Sequence, residues 1–220
     1  FKHIEELGHD CVVTYGSGRS NHCRVVANLA SSKVLPCYII SPTETGTPTS
    51  NNRLIRLLGA NVIICSVKDV SKTIDQTLWE LRRRGLNPYF IEGGGHGNIG
   101  TQAYVDCYEE ILMQEQFLGL QFDYIFLPSG TGTTQAGLVC GKLINGDNKQ
   151  IIGISIARKN PRGRQVVLDS VSDYMQGRTL NFDDVDSVEF VDDYVQDGYG
   201  SYNNEILDVI RRTFLSDGIP

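Results

Sequence analysis

Short apolar runs recur along the chain at intervals of about 25 residues: CVVT (11–14), PCYII (36–40), NVIIC (61–65), PYFI (88–91), DYIFL (123–127) and IIGISI (151–156). Each is rich in β-branched or aromatic residues and apolar on both faces, as a strand covered on both sides must be. Helical patterns fill most of the intervals. NHCRVVANLASS (21–32) sets Val25, Ala27, Asn28 and Leu29 on adjoining turns. SKTIDQTLWELRRRG (71–85) offers Ser71 as a cap and repeats Ile74, Leu78 and Leu81. TQAYVDCYEEILMQ (101–114) spaces Ala103, Cys107 and Ile111 four residues apart. Strands alternating with helices predict a mostly parallel α/β sheet.

Two connections share one plan. CVVTYGSGRSNHCRVVANLA and DYIFLPSGTGTTQAGLVCG each run strand, Gly-rich turn, hydroxyl residues, helix. Helix starts carry unpartnered N–H groups and the positive end of the dipole, and glycines allow close approach, so both loops suit anions. Neither is a nucleotide motif. GTGTTQAG lacks a lysine after its second glycine, with Lys142 lying well inside the helix, and GSGRSN puts Asn21 where G-x-G-x-x-G ends in glycine. A phosphate monoester held without Mg²⁺ fits the second loop better. A Gly-rich turn with capping threonines would account for either loop alone; the matched pair argues for ligands.

The net charge of −6 argues against nucleic acid or an anionic membrane as a main partner. No apolar run approaches the ~20 residues needed to span a bilayer, and FKHIEELGHD is not a signal peptide. The six cysteines, Cys11, Cys23, Cys37, Cys65, Cys107 and Cys140, contain no C-x-x-C pair. They read as small buried hydrophobes in a reducing, cytoplasmic compartment. After Arg158 the pattern loosens. The acidic residues Asp183, Asp184, Asp186, Asp192 and Asp193 read as solvated surface rather than a metal site, and Arg82, Arg83 and Arg84 as a cationic helix end.

The residues also carry a resemblance. YGSGRSNHCRVVANLA resembles the Ser-Asn-His loop and helix of the D-cysteine desulfhydrase and 1-aminocyclopropane-1-carboxylate deaminase family, pyridoxal-phosphate enzymes of the tryptophan-synthase-β fold. EGGGHGNIGTQAY, LPSGTGTTQAGL, IIGISIAR and DGYGSYNNEILDVIRRTFLSDGI are similar to that family's later segments, in order. The resemblance implies three-layer parallel-sheet α/β domains of fold type II: a smaller one over residues 1–92 with the Ser-Asn-His loop, and a larger one over 93–220 with the phosphate loop. It implies that Gly130, Thr131, Gly132, Thr133 and Thr134 cradle the phosphate of pyridoxal 5′-phosphate and that Asn21 bonds the ring's phenolic oxygen. Ser20, Asn21 and His22 would take the carboxylate of a small amino-acid substrate, and Tyr199 would line its pocket; Ser20 and Tyr199 hold the family's catalytic positions. Read on its own, His22 in a first helical turn caps or faces solvent. Arg19 departs from the family's usual Gln.

The implied reaction is α,β-elimination from D-cysteine or a similar β-substituted amino acid, giving pyruvate, ammonia and sulfide. His22 leans that way, because the cyclopropane deaminases more often carry Gln there. Alternatives are the cyclopropane deaminase reaction, another dehydratase or synthase of the fold, or a binding relative without the Schiff-base lysine. The family's Schiff-base lysine lies just upstream of the segment matching Phe1, and its ring-stacking tyrosine follows SDGIP. The chain therefore reads as a segment of something longer, expected not to turn over substrate alone. Relatives imply a homodimer.

Overall fold

The β-branched runs pair side by side, all in parallel. In the computed structural model, which describes residues 1–43, 47–176 and 188–219, the chain divides into two units, Phe1–Gly97 and Asn98–Pro220. The first holds β1 (Cys11–Tyr15), β2 (Cys37–Pro42), β3 (Asn61–Cys65) and β4 (Pro88–Ile91), in the order β3-β2-β1-β4. Val12 stands opposite Cys37 on one side and Tyr89 on the other, placing β1 in the sheet's interior.

Alternation along β1 sends successive side chains to opposite faces. On one face α1 (Lys2–Glu6), α2 (Asn21–Ser32) and α3 (Ser50–Leu57) bury Ile4, Val26, Ala27 and Ile55 against Val12 and Ile39. On the other, α4 (Val70–Arg83) packs Ile74, Leu78 and Leu81 against Cys11, Val13 and Ile40. Three layers result. The α2 stripe that is buried is Cys23, Val26, Ala27 and Ala30, whereas Val25 and Leu29 are exposed. The i, i+3, i+4, i+7 spacing of the buried residues makes one face of the helix, and Cys23, Ala27 and Ala30 on it let α2 lie close to the strands. Ser71 is not the cap of α4, which starts at Val70 behind a short 3-10 turn, Val67–Asp69. Trp79, the chain's only tryptophan, stands on α4 with the Arg83 guanidinium 4.6 Å from its ring centre.

The second unit holds β5 (Tyr124–Ser129), β6 (Gln150–Ser155) and β7 (Glu189–Val191), in that order. The helices α5 (Asn98–Leu118), α6 (Thr133–Asn145) and α7 (Arg162–Tyr174) share one core with them, around Val105, Tyr108, Leu127, Val139, Ile151, Val167 and Phe190. A last helix, α8 (Asn204–Asp217), has no buried residue. The buried stripe of α5 is Thr101, Val105, Tyr108 and Glu115, while Ala103 is exposed and Cys107 only half-buried. Glycines set this stripe. A β-carbon on Gly137 would come within 2.4 Å of Tyr104 Cβ and 2.5 Å of the Thr101 carbonyl, and one on Gly141 within 2.5 Å of Tyr108 Cβ. The two glycines, one turn apart, let α5 ride directly on α6.

A buried charge cluster closes the amino end of β6. Lys149, 4% exposed, pairs with Glu115 at 2.9 Å and Asp147 at 2.6 Å, and the Tyr108 hydroxyl donates to Asp147 at 2.8 Å. Burial alone would raise the Asp147 carboxyl. Hydrogen bonds from Lys149, Tyr108 and the backbone N–H groups of Asn148 and Lys149 outweigh it and hold the carboxyl at about 2. A depressed carboxylate contributes stability above its ordinary range and loses it as pH falls through the folded value. The second unit is therefore expected to lose about 2 kcal/mol between roughly pH 4 and 2. Denaturant titrations at stepped pH measure this loss, and it should vanish in Asp147→Asn.

Candidate active site

The first anion loop leaves β1 through Gly16 and ends at Ser20. Gly16 is required there, because a β-carbon would lie 2.6 Å from Cys23 Sγ. Ser20 is the N-cap of α2: its Oγ accepts from the Cys23 N–H at 3.2 Å. Asn21 and His22 follow as the first two helical residues, and no acidic residue occupies that turn. The start of α3 holds the loop from the side. Thr49 Oγ1 donates to the Gly18 carbonyl at 2.6 Å, and Asn51 Nδ2 donates to the Arg19 carbonyl and to Asn21 Oδ1. Arg19 lines a cavity of about 210 Å³ together with Ser41, Thr49, Asn52 and Arg56.

His22 does not point freely to solvent. Its Nε2 lies 2.9 Å from Thr14 Oγ1, and Thr14 is fully buried on β1. Thr14 spends its hydroxyl proton on the Ile91 carbonyl at 2.7 Å, so toward His22 it can only accept. The imidazole therefore carries its proton on Nε2. Burial pushes the ring's pKa down, which favours the neutral form, with a lone pair on Nδ1. A neutral His22 has no ring proton left for a carboxylate; its backbone N–H at the helix start is the donor it can offer.

The second loop leaves the carboxyl end of β5. Ser129 closes the strand, and Gly132 precedes α6 at φ 93°, a left-handed conformation that favours glycine. Gly132, the N-cap residue of α6, has no side chain with which to cap it. Arg158 donates to the Gly130 carbonyl and the Ile156 N–H to the Ser129 carbonyl, tying the loop to the end of β6. Thr131 and Thr133 hydroxyls sit 3.4 Å apart. Ser129 Oγ is buried and, among the described residues, has no hydrogen-bond partner.

Tyr199 lies beyond β7, between Gly198 and Gly200 at φ 128° and 79°, and is 50% exposed. Its loop leaves the carboxyl edge of the same sheet as Gly130–Thr134. Asp192 is not simply solvated, since Asn160 donates to it through both its backbone N–H, at 2.9 Å, and its Nδ2, at 3.0 Å. Asp183, Asp184 and Asp186 lie outside the described residues. Arg82, Arg83 and Arg84 are exposed at the end of α4. The sequence reading passed over Thr14, Asn51 and Lys149. Only Lys149 left a signal, a lysine directly before an apolar strand and two residues after an aspartate. It sits at the amino end of β6, the sheet edge opposite the Gly-Thr loop.

A comparison with family models matches residues 1–220 to the pyridoxal-phosphate dependent enzymes. The chain belongs to that family, and its parallel-sheet α/β architecture is the tryptophan-synthase-β-like fold, fold type II. Among curated proteins it is 32% identical over 228 residues to a 1-aminocyclopropane-1-carboxylate deaminase of Methylobacterium nodulans, covering 96% of this chain and 66% of the relative. It is 29% identical over 224 residues to a D-cysteine desulfhydrase of Serratia proteamaculans, covering 96% and 66%. A crystal structure of an ACC deaminase homologue superimposes with a TM-score of 0.84 at 26% identity, over 99% of this chain and 66% of that one. The chain thus spans about two thirds of the length of these relatives.

The Gly-Thr loop fits the cofactor's phosphate. It presents an uncapped helix start, no acidic side chain, a glycine at positive φ, and the buried, unpaired Ser129 hydroxyl beside it. A phosphate would supply acceptors for such donors. At the first loop, Asn21 turns its carbonyl oxygen to Asn51, leaving its NH₂ group as the donor it can offer a ligand.

Proposed function

We propose that the protein is a pyridoxal-phosphate-dependent lyase or deaminase of a small amino acid, with D-cysteine desulfhydrase-type elimination as the first reading. The observation that carries it is the pair of uncapped or hydroxyl-capped helix starts, one in each unit, both free of acidic side chains. One suits the cofactor's phosphate, on Gly130, Thr131, Gly132, Thr133 and Thr134. The other suits the substrate's carboxylate, on Ser20, Asn21 and His22. Tyr199 lines the substrate pocket in this reading. When bound, the cofactor supplies an electron sink for the carbanion left at the substrate's Cα. In the elimination, Cα loses a proton and the Cβ–S bond breaks with release of sulfide; water then converts the remaining enamine to pyruvate and ammonia.

The D-cysteine preference is supported by His22 itself, at the position where the resemblance gives the cyclopropane deaminases Gln more often; Thr14 holds its Nε2–H in place. The second reading, deamination of 1-aminocyclopropane-1-carboxylate, is supported by the relative of 32% identity that carries this name. Sulfide and pyruvate from D-cysteine would establish the first. Ammonia and 2-oxobutanoate from the cyclopropane amino acid, without sulfide from D-cysteine, would replace it with the second.

The cofactor reading has its own test on the natural full-length protein: loading with pyridoxal phosphate, reduction with borohydride, and mapping of the labelled peptide. One labelled lysine is the expected result, and no label at any lysine would defeat the reading. Lys149 is expected to stay unlabelled, because it is buried and paired with two carboxylates. On this reading the 220-residue chain alone does not turn over substrate; pyruvate release from it at the rate of the full protein would overturn that. Its free cysteines, four of them buried, support a reducing compartment such as the cytoplasm. No helix among the described residues is long and apolar enough to cross a membrane.

A further inference from the structure

Asn51 lies in the first turn of α3, thirty residues along the chain from Asn21, yet the two amides meet. Asn51 Nδ2 lies 2.9 Å from the Arg19 carbonyl oxygen and 3.0 Å from Asn21 Oδ1. A backbone carbonyl can only accept, so the group that Asn51 turns to Arg19 must be its NH₂. The same NH₂ then faces Asn21, which must answer with its carbonyl oxygen. The direction of both amides follows from one atom that has no alternative. Asn21 is left with its NH₂ as the donor it can offer elsewhere.

We infer that Asn51 is a positioning residue that fixes Asn21 as a hydrogen-bond donor toward the cofactor's phenolic oxygen and thereby selects the ionised form of that oxygen. The inference rests on the reading of Asn21 given above. An ionised phenolic oxygen only accepts, so it needs an NH₂ group opposite. A protonated one donates, and would pair with a reversed Asn21 that presents Oδ1. Asn51 therefore decides which form the bound ring keeps. Thr49, capping the same helix and bonded to the Gly18 carbonyl, holds α3 where Asn51 can do this.

The decisive variant is Asn51→Asp, nearly the same shape but without a donor. A carboxylate facing Asn21 draws out the Asn21 NH₂, which turns Oδ1 toward the ring. In the full-length protein loaded with pyridoxal phosphate, this variant is expected to exchange absorption in the visible band for a near-ultraviolet band. Its affinity for the cofactor should weaken about tenfold. Asn51→Gly, which removes the clamp without reversing it, should populate both bands. Asn21→Ala provides the reference. If Asn21→Ala changes spectrum and affinity but Asn51→Asp leaves the spectrum unchanged, with or without an affinity loss, the inference fails and the role of Asn21 stands. If Asn21→Ala changes neither, the reading of Asn21 falls and takes the inference with it.

Discussion

Replacing Lys149 with methionine should cost the second unit about 3–5 kcal/mol, the loss typical of a buried ion pair deprived of one partner. The reason lies in what remains. Without the ammonium group, Glu115 and Asp147 would face each other with almost no water, and the lysine's side chain is 4% exposed. Glu115 cannot easily swing away, because its Oε1 accepts the Phe122 N–H at 2.6 Å and so holds the turn that leads into β5. Chemical denaturation of Lys149→Met followed by circular dichroism measures the loss. Removing one of the stranded charges should recover part of it, so Glu115→Gln with Lys149→Met should be more stable than Lys149→Met alone. A loss below about 1 kcal/mol in the single variant would mean the cluster is far better hydrated than its burial indicates.

The second large effect is expected at Gly137. A single methyl group there meets Tyr104 Cβ and the Thr101 carbonyl at distances no packed interior accepts, so α5 and α6 must separate. Overpacking of this kind costs about 1–3 kcal/mol. It should also reach the Gly-Thr loop, because Gly137 lies one turn inside the helix whose start that loop forms. Gly137→Ala is therefore expected to lower both the unfolding midpoint and the affinity for pyridoxal phosphate. Exposed Ala103 on the outer side of α5 gives the control: Ala103→Ser should change neither. An unchanged cofactor affinity in Gly137→Ala would show that the loop is set by Arg158 and Ile156 alone.

The strands were legible because their composition is redundant. NVIIC and PYFI coincide with β3 and β4 to the residue, and NHCRVVANLASS with α2. What failed was the choice of face. On α2 the spacing pointed to Val25 and Leu29, yet the buried stripe is Cys23, Val26, Ala27 and Ala30. On α5 it pointed to Ala103, Cys107 and Ile111, yet the side that meets Gly137 and Gly141 carries Thr101, Tyr104 and Tyr108. β7 is three residues long and lies among acids, so no periodicity announces it. The SNNRLIRL helix, α3, does not stand out in the sequence pattern: it is only eight residues long, and asparagines in its first turn have low helix propensity. Its consequence for the site was the larger omission. The Ser20, Asn21 and His22 positions could be found from the loop pattern, but their partners Asn51 and Thr14 are set by strand order and helix placement, which no local pattern encodes.

Trp79 sits on the first unit's outer helix, and the second unit has no tryptophan at all. Indole emission therefore reports on one half of the molecule only. Fluorescence and circular dichroism recorded on the same denaturation curve would separate when the halves melt apart and coincide when they melt together. The single indole thus makes the protein its own gauge of whether its two sheets fold as one cooperative body or as two.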